Sequence, residues 1–264
     1  MLYAVQTTVR APAVAGSFYP ASSTELSASV DALLARAVAP TAARPKALIV
    51  PHAGLIYSGA IAAAAFARIA PWADQLERIV LIGPAHRMFV EGLVGPGCTQ
   101  LRTPLGLVDV DVDALAAIPA SPAAHAREHS LEVELPFLQR LAPRAKVVPL
   151  IGSRAAPEVV ARELERLWGG PETLIVISSD LSHYLPYAAG RALDERTAAK
   201  ILACEPVLGG EEACGSIGIN GLLQVAHARR LSIELVDLRS SGDTAGRRDE
   251  VVGYGAFALY EEAA

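Results

Sequence analysis

Three apolar runs in this chain each end in a segment that carries a histidine. Ala47-Leu48-Ile49-Val50 leads into Pro51-His52-Ala53-Gly54, Ile79-Val80-Leu81-Ile82 into Gly83-Pro84-Ala85-His86, and Leu174-Ile175-Val176-Ile177 into Ser178-Ser179-Asp180-Leu181-Ser182-His183. Three of the six histidines at one kind of position point to a site built from imidazoles. Such side chains bind metals and exchange protons near neutral pH. A catalytic metal site needs about three protein ligands and an open position. His52 and His86 are the obvious pair, because neighbouring strand ends would place them within reach of one ion. Cys214 is the candidate third ligand. It lies between Glu211-Glu212 and Gly215, just before a predicted helix whose N-terminus would favour the thiolate. Each residue alone has a plainer reading, the histidines as hydrogen-bonded structural groups and the cysteine as a small apolar one. That is how Cys98 and Cys204 are read. The joint pattern argues for a metal.

Asp180 and His183 are three apart and can face one space. The pair could orient His183 as a general base or support a metal from behind its ligands. The plain alternative is that Ser179 and Asp180 cap a turn. A competing motif is His125-Ala126-Arg127-Glu128-His129, which matches the H-x-x-E-H of zinc proteases on a helix. It leaves the three strand-end histidines unexplained, so Glu128, His129 and Glu132 are read instead as a polar stripe facing the strand ends. No G-x-G-x-x-G follows a strand, and no G-x-x-x-x-G-K-[ST] or G-x-S-x-G occurs.

The elements that must position these groups alternate between helix and strand. β-Branched runs of this kind fit strands buried on both faces, and ligands in such sheets bind beyond the strands' carboxyl ends. A helix is expected from Ser22 or Ser23 to about Val38, then a loop from Pro40 to Pro45, and a small-residue helix from Ser58 to Ile69 ended by Pro71. Val90 to Val110 reads as a hairpin-like excursion. Ser121-Pro122 opens a helix carrying Leu131, Leu135 and Leu138, with Pro136 at a bend. There follow strand Lys146 to Ile151, helix Pro157 to Trp168, the third histidine strand, helices Gly190 to Ala203 and Ile217 to Arg230, and strands Ser232 to Leu238 and Val251 to Tyr260. Gly215, Gly218 and Gly221 look like close packing at a helix start. The pattern implies one α/β domain over residues 1–264, a central mixed, mostly parallel sheet with helices on both faces.

Apolar residues make up 52% of the 264 and charged residues 19%, so a sizeable core is expected. A net charge of −5 gives no general attraction to nucleic acid or an anionic membrane. No apolar run approaches the roughly 18 residues that cross a bilayer, Met1 to Arg10 lacks a secretory pattern, and three cysteines without C-x-x-C spacing argue against a disulfide framework. A soluble cytoplasmic protein is the expectation.

These residues resemble the Memo family, also called AmmeMemoRadiSam system protein B. The stretches that carry the likeness are 13–20, 51–59, 83–86, 128–138, 178–184 and Cys214-Gly215, in order along almost the whole chain. The family is similar in fold to class III extradiol dioxygenases, which implies a metal vestibule of His52, His86 and Cys214 with Asp180 and His183 nearby. The dioxygenases use two His and one Glu for iron, so Cys214 replaces the carboxylate. A softer thiolate weighs against ring cleavage. The resemblance implies one metal ion, iron or copper, with zinc also open. Two functions follow: a metal-dependent redox enzyme of oxidase or oxygenase type, or a non-catalytic module holding a peptide or metabolite in the cleft. Prokaryotic members resemble parts of a system with radical-SAM and AMMECR-type proteins, which the likeness implies as partners.

Overall fold

The computed structural model describes residues 8–37 and 43–262. Its elements are β1 (Val9–Arg10), α1 (Ser23–Arg36), β2 (Ala47–Val50), α2 (Leu55–Phe66), β3 (Arg78–Pro84), β4 (Gln100–Thr103), β5 (Gly106–Asp109), α3 (Pro122–Ala126), α4 (Leu135–Leu141), β6 (Lys146–Gly152), α5 (Pro157–Leu167), β7 (Thr173–Ser178), β8 (His183–Leu185), α6 (Tyr187–Leu202), α7 (Ser216–Arg229), β9 (Ser232–Ser240) and β10 (Val251–Tyr260). The expected end of the first helix at Val38 and part of the Pro40 to Pro45 loop lie outside the described residues. Within them α1 is capped by the Ser22 hydroxyl and runs to Arg36.

Seven strands form one mixed sheet in the order β6-β3-β7-β2-β10-β8, with β9 on the other flank of β10. β6, β3, β7 and β2 run parallel, and β10 is antiparallel to β2, β8 and β9. Alternate side chains leave on opposite faces. Leu48, Val50, Ile79, Leu81, Leu174 and Val176 join one core with residues of α1, α2 and α4. Ala47, Ile49, Val80, Ile82, Ile175 and Ile177 join the other with residues of α5, α6 and α7. Burying each Val, Leu or Ile is worth about 1.5–3 kcal/mol, so helices on both faces are what the all-apolar strands require. The glycines of α7 permit the close approach: a Cβ on Gly221 would stand 2.4 Å from Val160 Cγ1, and one on Gly218 would stand 3.0 Å from Ile177 Cγ2. The excursion after β3 is the β4–β5 hairpin, which pairs with β1 in a separate three-stranded sheet.

Three expectations change. The helical run Leu55–Gln75, α2 continued by a 3-10 segment containing Pro71, is 21 residues long and apolar enough to cross a membrane by length and composition. Most of that apolar window is buried against the rest of the fold, as in a core helix. Second, the long helix after Ser121 does not form: α3 stops at Ala126, a 3-10 turn spans Glu132–Glu134, and α4 starts afresh. Pro136 sits in the first turn of α4, where its missing N–H costs no hydrogen bond, rather than at a bend. Third, β2 and β3 are not neighbours, because β7 lies between them.

Candidate metal centre

The carboxyl ends of β2, β7 and β3 meet at one rim of the sheet, and the histidines that follow them converge there. The His52 and His86 rings lie 5.2 Å apart, centre to centre. His129, from the irregular segment between α3 and the 3-10 turn, stacks on His86 at 4.8 Å and meets His52 edge-on at 5.6 Å. Donor atoms of these three histidines lie within 4.8 Å of one another, so the three could hold a metal ion.

Hydrogen bonds fix which nitrogens face that space. Ser178 ends β7, and its hydroxyl, 2.6 Å from the Ser130 carbonyl, donates there. The Ser178 oxygen is therefore left to accept the Nδ1–H of His52, 2.8 Å away, and the lone pair of His52 Nε2 meets only the weak donor of the Cys214 thiol, 3.5 Å away. His86 Nδ1 lies 2.9 Å from Glu128 Oε1, an acceptor, so Nδ1 carries the proton and Nε2 is the nitrogen left facing the space. A carboxylate behind a ligating imidazole is the usual support of a metal site. His129 Nδ1 is buried without a hydrogen-bond partner among the described residues; Glu128 Oε1, at 3.5 Å, is too far to serve. Three ring systems turned toward one space, with His52 buried, His129 half-buried and His86 open to solvent, fit a metal ion.

The electrostatics agree. Burial, with the neighbouring His86 and His129, holds His52 well below the usual imidazole range. Burial pushes His129 down to about 4. Glu128 is buried, which favours its neutral form, yet bonds from the His86 ring and from the backbone N–H groups of His86 and Ser130 outweigh burial and keep it ionised far below the usual carboxylate range.

Cys214 stands at the edge of this trio, not within it. Its Sγ is 3.5 Å from His52 Nε2 and 3.6 Å from the Asp180 carbonyl. Two ligands of one tetrahedral ion, at about 2.0–2.1 Å for nitrogen and about 2.3 Å for sulfur, would stand about 3.5 Å apart, so the His52–Cys214 spacing suits a shared ion. The expectation of a thiolate is not met in the metal-free chain, where burial and the Asp180 carboxylate push the thiol up to about 12.

Asp180 accepts the backbone N–H of His52 at 2.8 Å and of Ala53 at 3.3 Å, which clamps the turn after β2. Burial raises its pKa to about 7. Of the arrangements the spacing allowed, the geometry matches support behind His52, a candidate ligand. His183 instead bonds the Leu181 backbone, and burial lowers its pKa. The protease-like motif dissolves. His125 is turned away into the core with Nε2 3.0 Å from the Val94 carbonyl, and the chain leaves the helix before Glu128. Glu132 also turns elsewhere, accepting bonds from Arg10, Tyr19 and the backbone N–H groups of Ala13 and Val14. That ties down the N-terminal segment, from which Phe18 packs on His129 at 4.7 Å. Sequence reasoning missed His129 as a donor, although its place directly after Glu128 was the available signal.

A cleft of about 1020 Å³ opens over the histidines, walled by Phe18, Tyr57, Arg87, Tyr184 and Tyr254. Tyr184 is 71% exposed and held at φ +57°, a left-handed backbone conformation costly for a bulky residue and common beside functional sites.

Fold and centre together describe an α/β protein whose parallel strands carry a cluster of metal-competent histidines at their carboxyl ends. Residues 10–258 match the family described as Memo-like protein. Proteins named MEMO1 family protein are similar along nearly the full length: 36% identical in Aquifex aeolicus, covering 93% of this chain and 97% of that one. The Archaeoglobus fulgidus protein is 34% identical, with 93% and 97% covered, and that of Pyrobaculum arsenaticum 31%, with 96% and 99% covered. The chain belongs to the Memo family.

Proposed function

We propose that the protein is a metal-dependent redox enzyme of oxidase or oxygenase type, acting on an organic molecule held in the cleft. The observation that carries this reading is that Ser178 and Glu128 hold Nδ1 of His52 and of His86, which leaves their Nε2 atoms toward one space flanked by His129 and Cys214. In this reading His52 and His86 ligate one ion, Cys214 completes the set on one side, and His129 faces the ion from the other. Iron or copper would supply one-electron and dioxygen chemistry there; zinc would bind the same donors without it. The protein's own groups do the rest. Asp180 fixes His52 through the backbone, Phe18 and Tyr184 wall the cleft, and His183, which bonds the Leu181 backbone, takes or gives a proton at the substrate. Replacing carboxylate by thiolate separates this set from ring-cleaving dioxygenases, so simple catechols should be poor substrates. Dioxygen uptake by protein loaded anaerobically with iron(II), copper or zinc, with and without candidate reductants and catechols, tests the reading. Uptake with iron or copper but not zinc is expected. Uptake with none of them, or efficient catechol cleavage, would contradict it.

A further inference from the structure

The centre is reached from two sides. The cleft is bordered by His52, His86, His129 and His183, and Cys214 does not line it. A second cavity of about 480 Å³ is lined by Cys214 together with His86, His183, Leu185, Leu193 and Gly210. Of the residues that line them, His86 and His183 border both spaces. The second space is about half the volume of the first, and Leu185 and Leu193 give it a hydrocarbon lining, with Glu211 exposed at its rim.

We propose that this second cavity is a separate entrance, through which a small uncharged reactant reaches the Cys214 side of the centre while a larger molecule occupies the cleft. The division of reactants rests on the function proposed above; the route itself rests on the cavities alone. Hydrocarbon walls favour a compact neutral molecule, which loses little hydration on entering, over an ion. Separate routes would let a substrate fill the cleft without sealing off Cys214.

The test uses iodoacetamide, a small neutral electrophile, on the metal-free protein, with labelling of each cysteine followed by mass spectrometry. Gly210→Trp narrows the second entrance at a position where an added Cβ meets nothing within 4 Å, so folding should survive. Leu193→Trp fills the same space from α6. Ala245→Trp, at an exposed position on the cleft rim, narrows the other route. Both second-cavity variants should slow Cys214 labelling by about tenfold, since access governs thiol alkylation, while Ala245→Trp leaves it near the wild-type rate. Cys98 and Cys204 report that each variant is folded by labelling as in the wild type. Cys214 labelling at the wild-type rate in Gly210→Trp, or slowed as much by Ala245→Trp, would overturn the proposal. Because the assay needs no metal, its failure is distinct from a failure to bind metal, which appears as metal content.

Discussion

Glu128 grips His86 twice, accepting its ring Nδ1–H at 2.9 Å and its backbone N–H at 2.5 Å. The same carboxylate accepts the backbone N–H groups of His129 and Ser130 at 2.8 and 2.9 Å. One buried side chain thus fixes the orientation of His86 and the path of the segment that presents His129.

Glu128→Gln should therefore weaken metal binding by about 10–100-fold, the usual effect of losing such a supporting carboxylate. The amide keeps one acceptor oxygen and turns an NH₂ toward N–H groups that need an acceptor. Competition with a chromophoric chelator measures the change. An affinity equal to the wild type would mean that His86 needs no such support.

His125 gives a pH dependence away from the centre. Burial lowers it to about 4, so it is neutral in the fold, whereas it titrates near its ordinary value when unfolded. The unfolded chain then binds more protons between those values. Stability is full above about pH 6.5 and falls as the pH drops toward 4, by about 2 kcal/mol between pH 7 and 5 from this residue. Denaturant unfolding of wild type and His125→Gln at both pH values should show the gap between them shrinking in acid. A gap that does not change with pH would contradict the assignment.

For Cys214 the metal-free protein should behave as a reluctant thiol. With its pKa raised to about 12 by burial and Asp180, its alkylation rate should keep rising beyond pH 9 without a plateau. Asp180→Asn, which removes the neighbouring charge, should move the profile to lower pH. A plateau near pH 9 in the wild type would show an ordinary thiol.

Much of this was legible in the sequence, and the parts that were not have physical reasons. His52, His86 and His183 follow runs whose uniform apolarity marks buried strands, so their common rim could be read directly. The order of strands could not: β7 between β2 and β3 is a long-range pairing that no local pattern records. His129 was obscured because Leu131, Leu135 and Leu138 keep helical spacing across a break. Glu128 stabilises that break by accepting the N–H groups of His129 and Ser130, and Pro136 is better placed to start a helix than to bend one. The state of Cys214 departs from the thiolate expectation because burial and the Asp180 charge, neither visible in the local sequence, oppose the helix N-terminus.

The packing of α7 on α5 should be intolerant of a single methyl group. Gly221→Ala places a Cβ 2.4 Å from Val160 Cγ1 and 3.3 Å from the Ala161 backbone nitrogen, and backbone yields little. A loss of about 1–3 kcal/mol is expected in thermal or denaturant unfolding, against almost none for Gly210→Ala, which meets open space. Equal stabilities for the two variants would contradict the close approach of these helices.

The most direct measurement is metal content. Protein purified anaerobically without a metal-affinity tag, reconstituted separately with iron(II), copper and zinc and freed of excess ion, should carry about one ion per chain. His52→Ala and His86→Ala should carry almost none while remaining folded, and His129→Ala and Cys214→Ala should bind more weakly. At about 100 times its dissociation constant the ion should add about 2.7 kcal/mol to wild-type stability, and a chelator should remove it. Folded His52→Ala and His86→Ala proteins that keep the wild-type stoichiometry would contradict a metal centre at these strand ends.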